Sequence, residues 1–250
     1  MKLYLAKITP LLDPALFEAL LPFVPKERQD AIKKIHYKED QARSLAAGLL
    51  LEYGLRECGY TLLAKEHGKQ KVSLVYGESG KPELSGDKLS LDNCIFFNLT
   101  HSGDYAAAVF DTMPLGVDLE KVREKKLHEN SKKLAARFFC KREQEFLETV
   151  EARDGVTAYE VAFMKLWTRK ESYVKAKGTG IRMPFDSFCV LELQTEDHAL
   201  FFHTVTPDDK AYQLSVCSGR IEMPEIMTLD LTDFGKTIII KTCEGGEIHV

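Results

Sequence analysis

The spacing of apolar residues divides the first half of the chain into a strand, helices and further strands. Residues 2–8 (KLYLAKI) alternate as in a strand, and residues 26–58 carry apolar residues at the spacing of one or two helices. Short strands are predicted at 71–76 and 94–100, and YAAAVFD (105–111) follows the turn HSGD, across which it can pair with the strand before it.

The same order of elements begins again after residue 112. Residues 78–93, rich in Gly, Pro, Ser and Asp, are predicted to form a loop, and the last twenty residues an additional strand and a frayed end. The second half is predicted to contain a strand at 114–122, helices at 131–150 and 158–177, and strands at 187–193, 200–206 and 211–218.

This repetition predicts an α+β protein built as a pseudo-dimer of two similar halves, residues 1–112 and 113–250, with the boundary near Thr112–Pro114. A weak sequence echo supports it, because KIHYKED (34–40) can be laid over RFFCKRE (137–143) with an aromatic residue, a lysine and an acid in the same order. A ligand of such a protein is expected in the crevice between the halves.

Composition narrows the class of protein. Of 250 residues, 44% are hydrophobic and 29% charged, as in soluble globular proteins. The net charge of −4 gives no reason to expect a nucleic-acid partner. Apolar runs such as Leu45 to Leu51 fall far short of the roughly 20 residues of a membrane span, and the first residues do not resemble a signal peptide, so a cytoplasmic location is predicted.

The cysteines are scattered along the chain. There are six, with no CxxC pair and no spacing typical of zinc ligands. Reduced, mostly buried thiols are therefore the prediction.

Candidate metal ligands occur in LGVDLE. Strand alternation puts Gly116, Asp118 and Glu120 on one face, with the Cα atoms of the two acids roughly 6–7 Å apart. A solvent-exposed face is one interpretation of this pattern. The other is a magnesium site, since Mg²⁺ binds one to three carboxylates completed by water and substrate phosphates, and we expect Gly116 to keep this face open.

A second candidate lies in the predicted helix that contains WTRKESYVKAKGTG. Glu171 and Lys175 are four residues apart at the edge of an apolar arc, with Lys165, Arg169 and Ser172 opposite that arc. Such a pair can be a surface ion pair worth about 0.2–0.5 kcal/mol. Its position beside the buried face favours a site at the edge of a cleft instead.

Several polar residues of the first half are candidate phosphate ligands. In FNLTHSGDY, the hydroxyl of Thr100 and the imidazole of His101 stand at a strand end beside a glycine turn. Lys81 lies in the turn GKP, and Arg28 and Arg43 lie in the first long helical region. A polar hairpin turn, a solvated turn lysine and exposed helix arginines are the alternative interpretations.

Taken in order, the segments GKP, FNLTHSGDY, GVDLE, RFFCKRE and WTRKESYVKAKGTG resemble those of 4′-phosphopantetheinyl transferases of the surfactin-synthetase-activating type. The resemblance extends from Tyr4 to about Ser218 and is most specific in GVDLE and WxxKESxxKxxGxG. It implies a monomeric enzyme of two similar α+β halves that binds coenzyme A and Mg²⁺ between them. Such enzymes move the phosphopantetheine arm of coenzyme A to a serine hydroxyl of an apo acyl or peptidyl carrier protein and release adenosine 3′,5′-bisphosphate.

The resemblance also implies roles for individual residues. Asp118, Glu120 and Glu171 match the metal ligands, Glu143 the proposed general base, and Lys175 a catalytic lysine on the pyrophosphate. The positions that match coenzyme A contacts are Arg28, Arg43, Gly80, Lys81, Pro82, Asn98, Thr100, His101 and Lys175.

Two positions depart from the family pattern. Thr100 stands where a serine is common but keeps the hydroxyl, and Ala31 cannot clamp the 3′-phosphate, which leaves Arg28 for that role. Two rival functions remain open: a magnesium-dependent hydrolase of coenzyme A, and a non-catalytic coenzyme A binding module. The number of acidic residues argues against the module, because binding a polyanion does not require them.

Overall fold

The computed structural model describes most of the chain, and no helix in that part is both long and apolar enough to span a membrane. Cys94, Cys243 and most of the predicted C-terminal strand and frayed end lie outside the described residues. The described residues are 1–63, 68–77, 80–86, 95–122, 124, 127–196, 198–205, 207 and 209–234.

The described chain alternates between helices and strands much as the apolar pattern predicts. Its helices are α1 (Pro14–Leu20), α2 (Lys26–Lys33), α3 (Lys38–Glu57), α4 (His128–Phe138), α5 (Lys141–Asp154) and α6 (Val156–Lys177). Its strands are β1 (Lys2–Lys7), β2 (Tyr60–Thr61), β3 (Gln70–Lys71), β4 (Ser73–Tyr76), β5 (Pro82–Ser85), β6 (Phe96–Ser102), β7 (Tyr105–Asp111), β8 (Leu115–Lys121), β9 (Phe201–Val205), β10 (Tyr212–Ser218) and β11 (Glu225–Leu229).

The chain divides into two compact units. The N-terminal unit comprises Lys2–Tyr76, Pro82–Thr112 and the residues from Glu225 onward. The C-terminal unit comprises Gly77–Lys81 and Met113–Pro224, together with Met1.

The N-terminal unit is built on a four-stranded sheet in the order β11-β1-β7-β6. β7 pairs antiparallel with both β1 and β6, and every residue of β7 is buried. Helix α3 packs across this sheet, and it approaches closely at Gly54, where an added Cβ would meet the ring of Phe110. The core of this unit therefore lies between α3 and the sheet.

The C-terminal unit repeats this arrangement in its three-stranded sheet, ordered β8-β10-β9. β10 pairs antiparallel with β8 and β9, as β7 does with β1 and β6. Helix α6 packs on β8 and β10, and α5 packs on α6. In the N-terminal unit β7 lies between β1 and β6, and in the C-terminal unit β10 lies between β8 and β9. In both sets of three strands, the strand that comes last in sequence is therefore the central one. This confirms the prediction of an α+β fold with two similar parts.

The chain division differs from a simple split into residues 1–112 and 113–250. The chain passes from the N-terminal unit to the C-terminal unit between Thr112 and Met113. β11, however, belongs to the N-terminal unit, where it pairs in parallel with β1. Residues 225–229 form this strand because the outer edge of β1 offers unpaired backbone groups. Most of β11 is exposed, so its sequence lacks the alternation that would have predicted it.

The helix predicted at 131–150 is two helices. Phe139 is extended and ends α4, and Cys140 caps α5 in a capping box with Glu143. The echoed segment KIHYKED also lies at a break, between the end of α2 at Lys33 and the start of α3. The echo therefore marks a shared local feature, a helix end followed by a new helix start.

The strand predicted at 187–193 is also wrong. Residues 185–187 form a 3-10 turn and the chain then runs irregularly to β9. Its backbone carbonyls are bonded by side chains of α6: Lys170 donates to Phe185 and Phe188, and Arg169 donates to Val190 and Leu191. These carbonyls therefore accept hydrogen bonds from two cationic side chains instead of from the backbone amides of a neighbouring strand.

His128 joins the three helices of the C-terminal unit. Its Nδ1 lies 2.8 Å from Glu160 of α6, and its Nε2 lies 2.9 Å from Glu151 of α5, which also pairs with Lys132. The ring of Tyr159 packs edge-on at 4.6 Å. Burial lowers the pKa of His128, but hydrogen bonds and charges of the two glutamates outweigh it and leave the pKa raised.

This cluster predicts that the protein loses stability as the pH rises above about 6.5, the ordinary pKa of histidine. Because the folded-state pKa is above the unfolded-state value, the stabilisation is complete below that pH and is lost as the pH passes the folded-state pKa. Urea unfolding from pH 6 to 9 should show a steeper decline for the wild type than for His128→Gln. His36→Gln is the control and should keep the wild-type slope, and parallel profiles for wild type and His128→Gln would contradict the assignment.

Candidate active site

Strand β8 and helix α6 come into close contact at Gly116. A Cβ added there would lie 2.9 Å from the Cβ of Lys175 and closer still to backbone atoms of Ser172 and Ala176. The glycine does not keep the strand face open, as the sequence suggested; it lets the helix lie directly against the strand. Side chains of α6 and β8 are thereby brought together in one buried layer.

Asp118 and Lys175 form the centre of this layer. The Nζ of Lys175 lies 2.6 Å from Oδ1 of Asp118 and donates to the carbonyl of Val117 at 3.2 Å. Asp118 is buried, whereas Lys175 keeps part of its side chain exposed. The amine is therefore held against the strand.

Two more carboxylates act on this pair. Burial raises the pKa of Asp118 to about 7; Lys175 opposes this effect, and the negative charges of Glu120 and Glu171 add to it. Burial also raises the pKa of Glu171, against the charge of Lys175 and with that of Glu120. The charges of Lys175, Glu120 and Glu171 thus all act on the carboxyl of Asp118, and those of Lys175 and Glu120 act on Glu171.

This donor set suits a hard divalent cation such as Mg²⁺, because all three acids offer oxygen and their mutual repulsion favours a positive charge among them. Their ligand atoms do not converge tightly, however. Among the described residues, the group of acidic, cysteine or histidine side chains whose ligand atoms all lie within 4.8 Å of one another is Cys140, Glu143 and Cys189. The fit rests on charge and donor type rather than on a closed coordination shell.

Lys81, predicted to contact a phosphate, bonds backbone carbonyls beside the pair. Its Nζ donates to Leu115 of β8 at 3.1 Å and to Lys175 of α6 at 2.7 Å. Gly80, before it, has a φ of +77°, which a glycine adopts without strain. Lys81 is thus attached to both the strand and the helix that carry the site.

Helix α6 is buried on more sides than its helical wheel predicts. Arg169 and Ser172, expected opposite the apolar arc, are buried, and the neighbouring Thr168 bonds Ser215 of β10 at 2.9 Å. Phe163 packs in the core on the other side. The sheet covers the predicted polar face of the helix, so these polar groups point into the unit rather than into solvent.

Lys170 is a lysine that the helical wheel of α6 places inside the apolar arc. Its side chain is 0% exposed and pairs with Glu143 at 2.8 Å. Sequence reasoning missed this buried pair, although a lysine within an apolar arc was the signal that could have found it. The pair ties α6 to the start of α5.

Glu143, the predicted general base, is 0% exposed. Its Oε2 accepts from the amide of Cys140 at 2.9 Å and its Oε1 from the amide of Val190 at 2.8 Å, in addition to the pair with Lys170. These contacts are those of a helix cap and a core ion pair. In this structure the carboxylate has no exposed surface at which to meet a substrate hydroxyl.

The two predicted arginines of the N-terminal unit bond separate parts of it. Arg28 donates to the carbonyl of Ser44 at 2.9 Å, and burial lowers its pKa. Arg43 bonds Asp40 at 2.6 Å and the carbonyl of Gly103, in the turn after β6, at 2.8 Å. Arg43 thus lies at the same turn as the FNLTHSGDY segment.

The residues of β6 divide between its two faces. Asn98 and Thr100 are buried, and His101 is exposed. Alternation along the strand therefore separates the histidine from the other two. Pro82, the last of the predicted contacts, begins β5.

The fold and this centre define a class: two-part α+β proteins with a cluster of carboxylates and a lysine between a strand and a helix of the second part. Family models match both parts, residues 13–112 as "4'-phosphopantetheinyl transferase, N-terminal" and residues 114–225 as "4'-phosphopantetheinyl transferase superfamily".

Proteins similar to this chain over most of its length are 4′-phosphopantetheinyl transferases. The 4'-phosphopantetheinyl transferase ffp of Bacillus subtilis is 30% identical over 85% of this chain and 89% of its own length. The transferase Sfp of B. subtilis strain 168 is 28% identical over the same shares, and gsp of Aneurinibacillus migulanus is 29% identical over 74% of this chain and 69% of its own. The chain belongs to the 4′-phosphopantetheinyl transferase family and is a transferase.

The contact at Gly116 predicts a large effect of one methyl group. Gly116→Ala forces α6 away from β8, and we expect a loss of about 1–3 kcal/mol of unfolding free energy, the usual cost of overpacking. Gly77→Ala is the matched control, because an added Cβ there meets nothing within 4 Å. Urea unfolding of the two variants measures the difference, and equal stabilities would contradict the close contact.

Proposed function

We propose that the protein transfers the 4′-phosphopantetheine group of coenzyme A to a serine hydroxyl of an apo acyl or peptidyl carrier protein, in a magnesium-dependent reaction that releases adenosine 3′,5′-bisphosphate. The observation that carries the proposal is the cluster of Asp118, Glu120 and Glu171 around Lys175 in a member of this family. Phosphoryl transfer depends mainly on positioning and on neutralising charge, and this cluster offers groups for both.

Asp118, Glu120 and Glu171 would hold the magnesium ion. When bound, Mg²⁺ supplies positive charge to the pyrophosphate oxygens of coenzyme A. With all three acids ionised, the three carboxylates and the ammonium of Lys175 sum to −2, which a divalent cation balances.

Lys175 would stabilise the negative charge that develops on the phosphate and the leaving group. Two features support this role. Its amine is anchored on Asp118 and on the strand, so that its charge is in place before the substrate arrives. Its backbone carbonyl is bonded by Lys81, which steadies the last turn of α6.

Residues of the N-terminal unit are proposed to bind coenzyme A. His101 is exposed and is the proposed partner of a phosphate, and Arg43 bonds the carbonyl of Gly103 in the turn that follows β6. Arg28 is the proposed partner of the 3′-phosphate. Gly80, Lys81, Pro82, Asn98 and Thr100 complete the proposed set.

The base role of Glu143 stays a prediction, against which its buried contacts weigh. We propose instead that Glu143 fixes the start of α5 against α6. A water beside the cluster is then the proton acceptor for the carrier serine.

Action as a monomer in the cytoplasm is also proposed. The two similar parts of one chain supply what two subunits would otherwise supply. Scattered cysteines without a disulfide-like spacing favour a reducing compartment.

The proposal is tested with coenzyme A, Mg²⁺ and a panel of apo carriers, scored by the gain in carrier mass. Asp118→Asn keeps the size of the side chain but removes its charge, so we expect transfer to fall on the order of 10²–10³-fold with a cooperative unfolding transition retained. Asp186→Asn, an exposed aspartate of the same unit, is the control and should transfer normally. Release of free phosphopantetheine without any carrier would favour the hydrolase, and coenzyme A binding without turnover on any carrier the binding module.

A second experiment separates the two roles of Glu143. Glu143→Gln breaks a buried ion pair, and we expect a loss of about 3–5 kcal/mol of unfolding free energy. The double variant Glu143→Gln/Lys170→Met leaves no unpaired charge and should recover much of that loss. Transfer should recover with stability if Glu143 is structural; a stable but inactive double variant would assign the base role to Glu143.

A further inference from the structure

Two cysteines far apart in sequence lie together in the C-terminal unit. Cys140 caps α5, and Cys189 follows the 3-10 turn at Phe185–Ser187. Their sulfur atoms and a carboxylate oxygen of Glu143 all lie within 4.8 Å of one another, and both thiols are free and partly buried. The cysteine spacing in the sequence gave no sign of this pair.

The fold holds the two backbones in place around one carboxylate. Glu143 accepts from the amide of Cys140 and from the amide of Val190, the residue after Cys189. Arg169 bonds the carbonyl of Val190 at 2.9 Å, so the segment that carries Cys189 is also anchored on α6. The two sulfurs already lie within 4.8 Å of each other, and a bond between them has a length of about 2.05 Å.

The two thiols differ in access. Cys189 lines an open pocket of about 370 Å³ together with Arg142, Glu192 and His198, whereas Cys140 does not line it. Burial raises the pKa of the Cys140 thiol. An oxidant that enters this pocket therefore meets Cys189 and not Cys140, whose thiol is kept protonated by burial.

The same three side chains could be taken for a metal site, but the charges oppose that. The ammonium of Lys170 lies 2.8 Å from Glu143 and is fully buried. A cation bound by Cys140, Glu143 and Cys189 would share the carboxylate with that ammonium and be repelled by it. Bond formation between the two sulfurs needs no added charge.

We propose that Cys140 and Cys189 are a reversible disulfide site, closed by a peroxide. The sulfur of Cys189 attacks one peroxide oxygen and becomes a sulfenic acid, with release of one water. The sulfur of Cys140 then attacks the sulfenic sulfur, and its proton leaves with the hydroxide as a second water. Two thiols and one hydrogen peroxide thus give one disulfide and two waters, and a dithiol reductant reverses the change.

The disulfide would join the start of α5 to the segment that α6 holds through Arg169 and Lys170. It closes a loop between residues 140 and 189 and so restricts the unfolded chain. The oxidised C-terminal unit is therefore expected to unfold at a higher temperature than the reduced one.

The proposal is tested on the full chain, first reduced and then treated with hydrogen peroxide. Peptide mapping without reductant should find the Cys140 and Cys189 peptides linked, with the loss of two hydrogens, and dithiothreitol should separate them. The unfolding temperature should rise by several degrees on oxidation and return on reduction. No transfer assay is involved, so failure here leaves the proposed function untouched.

Matched variants complete the test. Cys140→Ser keeps a good helix cap, and both Cys140→Ser and Cys189→Ser should lose the linked peptide and the temperature shift. Cys58→Ser, a partly buried cysteine of the N-terminal unit, should keep both. The proposal is overturned if both thiols remain free after peroxide, if either pairs with another cysteine, or if one zinc ion binds tightly and is lost in both serine variants.

Discussion

The close contact of α6 with β8 at Gly116 is the constraint on which the candidate site depends. Only a residue without a Cβ lets the backbone of Ser172 and Ala176 approach the strand. That approach brings Lys175 to Asp118 and sets Glu171 within electrostatic reach of the strand carboxylates. Burial, to which the charges of Glu120 and Glu171 add, raises the pKa of Asp118, and the same carboxylates offer oxygen ligands to a cation.

The rest of the C-terminal unit fixes the rotation of α6 about its own axis. Arg169 and Lys170 are buried cations whose bonds go to the irregular segment before β9 and to Glu143. Buried charges are costly unless their bonds are satisfied, so a small rotation of the helix would leave them unpaired. The buried polar side chains of α6 therefore specify one orientation of the helix, and in that orientation Glu171 and Lys175 lie beside β8.

Much of the fold and part of the site could be predicted from the sequence. Alternation predicted β1 and β8, the turn HSGD predicted β7, and helical spacing predicted α3 and α6. The resemblance to a known family grouped Asp118, Glu120, Glu171 and Lys175 as site residues. Sequence reasoning failed where long-range contacts decide the structure. β11 is mostly exposed and is a strand because of its partner β1, and the segment at 187–193 is irregular because two side chains of α6 bond it. Glu143 has the residue type of a base, but its burial depends on Lys170, which a linear motif does not reveal.

The parallel pairing of β1 with β11 has a consequence for synthesis. β1 is made long before its outer neighbour β11, which comes more than two hundred residues later, after the described strands and helices of the C-terminal unit. During translation the backbone groups on the outer edge of β1 therefore stay unpaired until the C-terminal unit and β11 have been synthesised. An edge of this kind is a place where a nascent chain can pair with another, and contacts of such long sequence separation form slowly. The N-terminal unit can therefore be completed only after the C-terminal unit has been synthesised, because β11 follows that unit in the sequence.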